Sequence, residues 1–119
     1  MVKLESLKKS NQFRKALKEK KFHTDYFSIF AAKNFFKAKQ KSNLLISFVM
    51  RKKIGNAVKR NRIKRKLRSI VQKLLMMNST INLDYIYVIF GKDKANKEYN
   101  NSLYEKMKKS FKRMQSLKV

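Results

Sequence analysis

The feature that most constrains this chain is a long central stretch without a carboxylate. No acidic residue lies between Asp25 and Asp84, whereas the same interval holds fifteen Lys or Arg. Ten of these cations fall within residues 51–68, RKKIGNAVKRNRIKRKLR. Folded domains usually mix both signs, because like charges repel one another in a compact state. The formal net charge of +25 on 119 residues therefore predicts a polyanionic partner.

The composition is nevertheless that of a folded domain. Hydrophobic residues make up 43% of the chain, with nine Phe and five Tyr, and disordered basic tails usually lack such groups. A chain of this length closes one core, so we expect a single domain over residues 1–119. The absence of Cys excludes disulfides and thiolate metal sites. With no long apolar run and no secretory signal at the N-terminus, we expect a cytoplasmic protein with no membrane partner.

The hydrophobic pattern predicts the element order helix, strands, helix, strand, helix, which is an α+β fold. The first helix begins at Ser10, ends near Lys21, and places Phe13, Ala16 and Leu17 on one face. The remaining elements are strands over residues 24–32, 43–50 and 83–90, and helices over residues 57–75 and 96–117. We expect the last helix to bury the stripe Tyr99, Leu103, Met107, Phe111 and Met114.

The helix predicted over residues 57–75 is strongly amphipathic. Its apolar residues recur at helical spacing and form one stripe: Ile63, Leu67, Ile70, Val71, Leu74 and Leu75. If this stripe packs on the sheet, the cations on the other faces are open to a partner.

The charge on this helix favours phosphate binding over an ordinary solvated surface. Solvated helices usually alternate Lys with Glu at i, i+4, because like charges at that spacing destabilise a helix by a few tenths of a kcal/mol. No Glu compensates the cations here. Arginines also suit phosphate, because the guanidinium fork binds it bidentately, and four are present: Arg60, Arg62, Arg65 and Arg68.

Several observations favour RNA among the possible polyanions. A membrane-surface helix would need a free apolar face, which the sheet requires here. Major-groove DNA readers place their recognition helix after a helix and turn, whereas this helix follows a strand. RNA binders often add aromatic groups on a sheet, and Tyr26 and Phe30, with Phe13 on the first helix, are candidates. Core packing remains the alternative for each of these rings.

We predict no catalytic residue and no metal site in the protein itself. The seven carboxylates are scattered along the sequence, and His23 is the single histidine. A lone histidine is more often structural than a general base. With only Gly55 and Gly91, the chain cannot form a glycine-rich phosphate loop.

Residues 52–68, KKIGNAVKRNRIKRKLR, resemble the signature of the bacterial ribonuclease P protein component, with Arg60-Asn61-Arg62 at the centre. The resemblance extends over nearly the whole chain. It implies an α/β sandwich whose strand-helix-strand crossover is left-handed, although general rules would favour a right-handed one. It also implies a subunit of a ribonucleoprotein endonuclease that removes the 5′ leader of precursor tRNA. Its partners would be the catalytic RNA and precursor tRNA, with catalysis and Mg²⁺ belonging mainly to the RNA.

The resemblance implies two groups of site residues. The contact region for the catalytic RNA comprises Lys52, Lys53, Asn56, Arg60, Asn61, Arg62, Lys64, Arg65 and Arg68. The cleft for the leader comprises Phe13, Leu17 and Phe30, to which the strand pattern adds Tyr26.

The chain departs from the family pattern at three positions. Phe48 and Arg51 stand where the family commonly has small residues, and Leu17 stands where it often has an aromatic ring. The alternative function is that of a structural RNA-binding protein without an enzymatic role, such as a ribosomal protein. Such a protein has no reason to carry the Arg60-Asn61-Arg62 signature.

Overall fold

Five strands and three α-helices are formed by the residues that the computed structural model describes, which are 3–7, 10–33, 43–77, 81 and 84–116. The strands are β1 (Lys3–Glu5), β2 (Lys20–His23), β3 (Phe27–Lys33), β4 (Asn43–Val49) and β5 (Tyr85–Gly91). The helices are α1 (Ser10–Ala16), α2 (Ala57–Met76) and α3 (Asn100–Ser116), and short 3₁₀ turns span Lys52–Ile54 and Asp93–Asn96.

The strands form one mixed sheet in the order β1-β4-β5-β3-β2. Strand β4 runs parallel to both β1 and β5, whereas β3 runs antiparallel to β5 and to β2. Helix α2 therefore connects two adjacent parallel strands, as the predicted crossover unit requires. Its left-handedness stays a prediction.

Helices α2 and α3 cover one face of the sheet and form the main core with it. Because successive side chains of a strand point to opposite faces, β3 sends Phe27, Ile29 and Ala31 into this core. The predicted stripe of α2 is buried there, with Leu75 partly buried at its end. Helix α3 contributes Leu103, Met107, Phe111 and Met114, all of them buried.

Helix α1 covers part of the opposite face. It packs on β3 and β5, and a small buried cluster forms from Ala16, Ala32, Ile86 and Val88. With only seven residues, α1 is too short to cover the whole face. The rings of Phe30 and Phe90, which lie on the same face, are consequently only partly buried.

The α+β class and the main elements are confirmed, with differences at the element ends. Helix α1 ends at Ala16, not near Lys21, and the residues after it form β2, which the sequence did not predict. Helix α3 begins at Asn100 because a 3₁₀ turn precedes it. Tyr99 therefore precedes the helix, and the prediction that α3 buries it is wrong, since Tyr99 is 81% exposed. The predicted connections fall mostly outside the described residues, at 34–42 and 78–83 except for Ile81. Among the described helices, none has the length and apolar character that crossing a bilayer requires.

Candidate nucleic-acid interface

The start of α2 is set by a glycine and an asparagine. Gly55 has φ +152°, a conformation that L side chains rarely adopt, and a Cβ there would lie 2.9 Å from Lys59 Cδ. Asn56 is the N-cap, and its side-chain oxygen accepts a hydrogen bond from the Lys59 amide at 3.0 Å. This geometry turns the chain sharply from β4 into α2 and places the cations of both segments side by side. Asn56 therefore has a structural role within the predicted contact region.

Most of the predicted contact region lies on the solvent side of α2 and the turn before it. Apart from the N-cap Asn56, the exposed members are Lys52, Lys53, Asn61, Arg62, Lys64, Arg65 and Arg68. We call these residues the basic face. Because the opposite stripe is committed to the core, this surface can meet a polyanion without any change of fold.

Arg60, at the centre of the signature, is only partly exposed. Its Nε donates a hydrogen bond to the Gly55 carbonyl at 3.1 Å. Its guanidinium is thereby tied to the turn that starts α2. Arg60 thus supports the helix start as well as adding positive charge to this surface.

Lys66 belongs to the same run of cations but points elsewhere. Its ammonium donates to three backbone carbonyls, those of Ala95 at 2.9 Å, Asn96 at 3.0 Å and Glu98 at 2.7 Å. Three donors are all that an ammonium has. The pKa of Lys66 is lowered overall, mainly by burial. The charge of Arg62 lowers it further, and the Glu98 carboxylate opposes the shift. Lys66 therefore fastens α2 to the segment before α3 and is not part of the basic face.

Lys59 is also committed within the protein. It forms an ion pair with Asp93, in the 3₁₀ turn that follows β5. The run of ten cations thus divides into exposed residues, Arg60, which is bonded to the helix start, and two lysines, Lys59 and Lys66, that hold α2 against the chain segment leading to α3.

Three of the four predicted cleft residues come together on the face covered by α1. Phe13 and Leu17 project from α1 and the turn after it, and Phe30 projects from β3 into the same apolar cluster. Phe30 contacts Phe90 edge to face, with ring centroids 5.4 Å apart, and His23 at 5.7 Å. These aromatic groups lie beside the end of α1, where the sheet face is open.

The fourth residue, Tyr26, lies apart from this cleft, and its predicted placement there beside Phe30, which came from the strand pattern, is wrong. Strand β3 begins at Phe27, so Tyr26 sits in the bend before the strand and escapes its alternation. It packs instead against the α2–α3 core, with the Lys106 ammonium 5.3 Å from its ring centroid. A hydrogen bond to the Glu98 carboxylate raises the pKa of Tyr26.

A cavity of about 460 Å³ extends from the open aromatic end of the cleft. We call it the strand-end pocket. Its floor is formed by Phe30 and Phe90, and Arg51, Lys53 and Lys92 contribute positive charge around it. The volume lies in the range of ligand-binding clefts. An aromatic floor with a cationic rim suits a base and its phosphate.

Sequence reasoning missed several residues of this pocket. His23 was not placed beside Phe30 because β2 was not predicted, yet β2 and β3 pair His23 with Ser28. A hydrogen bond of 2.7 Å joins His23 Nδ1 and Ser28 Oγ. Arg51 was noted only as a departure from a family pattern, whereas its guanidinium lies over the Phe90 ring at 5.1 Å. The signal that could have placed His23 beside Phe30 was the bend at residues 24–26. After this bend the chain reverses direction, so that β2 and β3 pair as a hairpin.

Acidic groups near these surfaces are engaged within the protein. The Ser102 hydroxyl donates to Glu98 at 2.7 Å, and this bond lowers the pKa of the Glu98 carboxyl. Asp93 is paired with Lys59. Within the described residues, no three His, Asp or Glu side chains lie close enough together to hold a metal ion.

Comparison with known proteins identifies the family of this chain and two relatives. Residues 1–115 match the Ribonuclease P family. The ribonuclease P protein component of Listeria innocua is 34% identical over 112 residues, which span 93% of this chain and 85% of that protein. That of Paramagnetospirillum magneticum is 36% identical over 61 residues, which span 51% of this chain and 45% of that protein.

A solved structure shows the same fold. The ribonuclease P protein of Thermotoga maritima superposes with a TM-score of 0.73 over 92% of this chain and 96% of that one. The identity between the two sequences is 22%, so this likeness concerns the fold alone.

Proposed function

This chain belongs to the ribonuclease P protein component family, and from that membership we propose that it acts through two separate RNA-binding surfaces. The basic face of α2 binds the catalytic RNA of ribonuclease P. The cleft beside α1, with the strand-end pocket, holds the single-stranded 5′ leader of precursor tRNA. The protein thereby supports removal of the leader by endonucleolytic cleavage, in the bacterial cytoplasm where tRNA is matured.

The observation that carries this proposal is that the cations of α2 and the aromatic cleft lie on opposite faces of the sheet, with Lys53 alone belonging both to the basic face and to the rim of the strand-end pocket. The basic face lies on the outer side of a helix whose inner side packs on one face of the sheet. The aromatic cleft lies on the other face of the sheet, under α1. Phosphate contacts give affinity regardless of sequence, whereas stacked bases must be single-stranded. The first surface therefore suits a large folded RNA, and the second suits an unpaired leader.

We propose that the RNA subunit carries the catalysis and holds the Mg²⁺ ions. Mg²⁺ prefers carboxylate, phosphate and water oxygens. The carboxylate of Asp93, which lines the strand-end pocket, is engaged by Lys59, and that of Glu98 by Ser102. The donor set near the cleft thus fits a role in binding and orienting RNA, while the RNA phosphates supply the oxygens for the metal ions. The ribosomal-type alternative is not favoured, since the family match spans residues 1–115.

Affinity for the catalytic RNA tests the first surface. We expect Arg62→Ala and Arg65→Ala each to cost about 1.5–3 kcal/mol of binding free energy, the range of a charge-assisted hydrogen bond. Lys109→Ala, which removes one exposed cation from α3, is the matched control. It should cost at most about 0.5 kcal/mol of binding free energy. Equal losses in all three variants would mean that net charge, not the basic face, determines binding.

A further inference from the structure

Another cavity lies at the far end of α2, away from both proposed RNA-binding surfaces. Its volume is about 380 Å³, and it is lined by the end of α2 and the start of α3: Lys73, Met76, Met77, Asn100, Asn101 and Tyr104. We call it the helix-end pocket. We propose that it docks a segment of a partner protein, one that presents an apolar side chain beside a carboxylate.

Exposed apolar side chains gather at this end of the protein. Four large apolar side chains are more than half exposed among the described residues, and three of them lie here. Met76 is 74% exposed and Met77 is 53% exposed, and Tyr99, which directly precedes Asn100, is also exposed. Single apolar side chains are ordinary on a protein surface, whereas a group of them marks an interaction site. The grouping therefore points to a partner at the helix-end pocket.

The charge of this end differs from that of the chain as a whole. Residues 69–77 and 98–105 contain one cation, Lys73, and two carboxylates, Glu98 and Glu105, although the net charge of the chain is +25. RNA affinity depends on Lys and Arg contacts to phosphates, so this end is poorly suited to RNA. A second copy of the chain is disfavoured, because two molecules with this net charge repel each other. A protein segment of low charge can dock here without burying unpaired cations.

The side chains at the pocket define the chemistry of this segment. Methionine side chains are unbranched and flexible, so they adapt to an apolar anchor of the partner. Asn100 and Asn101 are exposed, and a side-chain amide both donates and accepts hydrogen bonds, as a peptide group requires. The exposed Lys73 ammonium suits a carboxylate next to the anchor. Glu105 lies one turn after Asn101 and repels a carboxylate on the α3 side, so the acidic group of the segment faces α2.

Docking at the helix-end pocket is compatible with both proposed RNA-binding surfaces. An α-helix rises 1.5 Å per residue, so Met76 lies about 21 Å along α2 from Arg62 of the basic face. The cleft beside α1 lies on the other face of the sheet. A docked protein therefore sits beside the catalytic RNA and does not compete with it.

Selection of peptides on the assembled protein tests the proposal. The probe is a phage-displayed library of random peptides, selected on the complex of this protein with the catalytic RNA of ribonuclease P. In this complex the RNA covers the basic face, so acidic peptides are not retained there by charge alone. We expect the enriched peptides to share an apolar residue close to an Asp or Glu. Their affinity for the complex is then measured by fluorescence anisotropy with synthetic, labelled peptides.

Two pairs of variants locate the bound peptide. Met76→Gln should weaken peptide binding about tenfold or more, because it removes an apolar side chain that the peptide covers. Val58→Gln is the matched control, since it removes an exposed apolar side chain from the other end of the same helix, and it should leave the affinity within about twofold. Lys73→Gln should weaken binding about threefold, as expected for an exposed ion pair, whereas Lys109→Gln should not. All four side chains are exposed, so the variants keep the fold.

Three results would overturn the proposal. If no enriched peptide depends on Met76, the helix-end pocket is not a docking site for protein segments. If Met76→Gln weakens assembly with the catalytic RNA more than Val58→Gln does, RNA occupies this end of α2. If the complex self-associates in sedimentation velocity and Met76→Gln abolishes the association, the occupant is a second copy. Failure of the parent protein to assemble with the catalytic RNA would refute the proposed function alone, and the same selection on the free protein would still decide docking.

Discussion

Replacing Lys66 by methionine tests whether the cations of α2 divide into structural and RNA-binding sets. Methionine keeps the length and apolar character of the side chain but removes the ammonium that bonds the Ala95, Asn96 and Glu98 carbonyls. A hydrogen bond to a charged group contributes about 1.5–3 kcal/mol. The site is only partly buried, so water would reach the freed carbonyls and the three bonds would not add in full. We expect a total loss of about 2–3 kcal/mol in the free energy of unfolding.

Lys64→Met is the matched control, because it removes the same charge from the exposed side of the same helix. The relief of repulsion among the remaining cations is then similar in both variants and cancels in the comparison. Urea unfolding at fixed ionic strength should show Lys64→Met within about 0.5 kcal/mol of the parent protein. Binding of the catalytic RNA should show the reverse, with Lys64→Met weakened and folded Lys66→Met little changed. Equal stability of the two variants would refute the structural role of Lys66.

Three further perturbations address the charge, the helix start and the Glu98 network. If about six phosphates are neutralised, affinity for the catalytic RNA should fall on the order of a thousandfold between roughly 50 and 200 mM monovalent salt, and a flat titration would contradict phosphate binding. Gly55→Ala should lower the free energy of unfolding by about 1–3 kcal/mol, because alanine is strained at φ +152°, and unchanged urea unfolding would refute this. The pKa of Glu98 is lowered in the folded protein, so its stabilising effect is present above the unfolded pKa and lost as the pH falls through the folded pKa. The stability advantage of the parent protein over Glu98→Gln should therefore shrink from pH 7 to pH 3 in urea unfolding, and a constant difference would contradict the assignment.

The long amphipathic elements were predictable because burial alone determines them. The apolar stripe of α2 repeats over three turns, and the structure buries every member of it except Leu75, which is partly buried. The short strands β1 and β2 were not predictable. Strand β2 has four residues, two of them lysines, and it forms because β3 offers it a partner across a tight bend. Pairing of this kind depends on tertiary contacts that the local pattern does not contain.

The candidate site shows the same limit at the level of single residues. Lys64 and Lys66 look alike in the sequence, and only the position of the carbonyls before α3 makes Lys66 structural. Tyr26 lies one residue before β3, where strand alternation no longer applies. In the sequence Arg51 was only a departure from the family pattern. In the structure its guanidinium lies over the Phe90 ring and lines the strand-end pocket. In each case the missing information was a long-range contact.

The preference of the assembled enzyme for precursor over mature tRNA tests most directly whether the two surfaces bind different RNAs. Phe30→Leu keeps the apolar volume in the cleft and removes the aromatic face, and Arg65→Ala changes only the basic face. We expect Phe30→Leu to reduce the preference by about 1–3 kcal/mol, the contribution of one stacked base, without weakening assembly with the catalytic RNA. Arg65→Ala should weaken assembly and leave the preference of the assembled enzyme unchanged. If Phe30→Leu is stably folded and keeps the full preference for precursor tRNA, the cleft beside α1 does not hold the leader and the account is wrong.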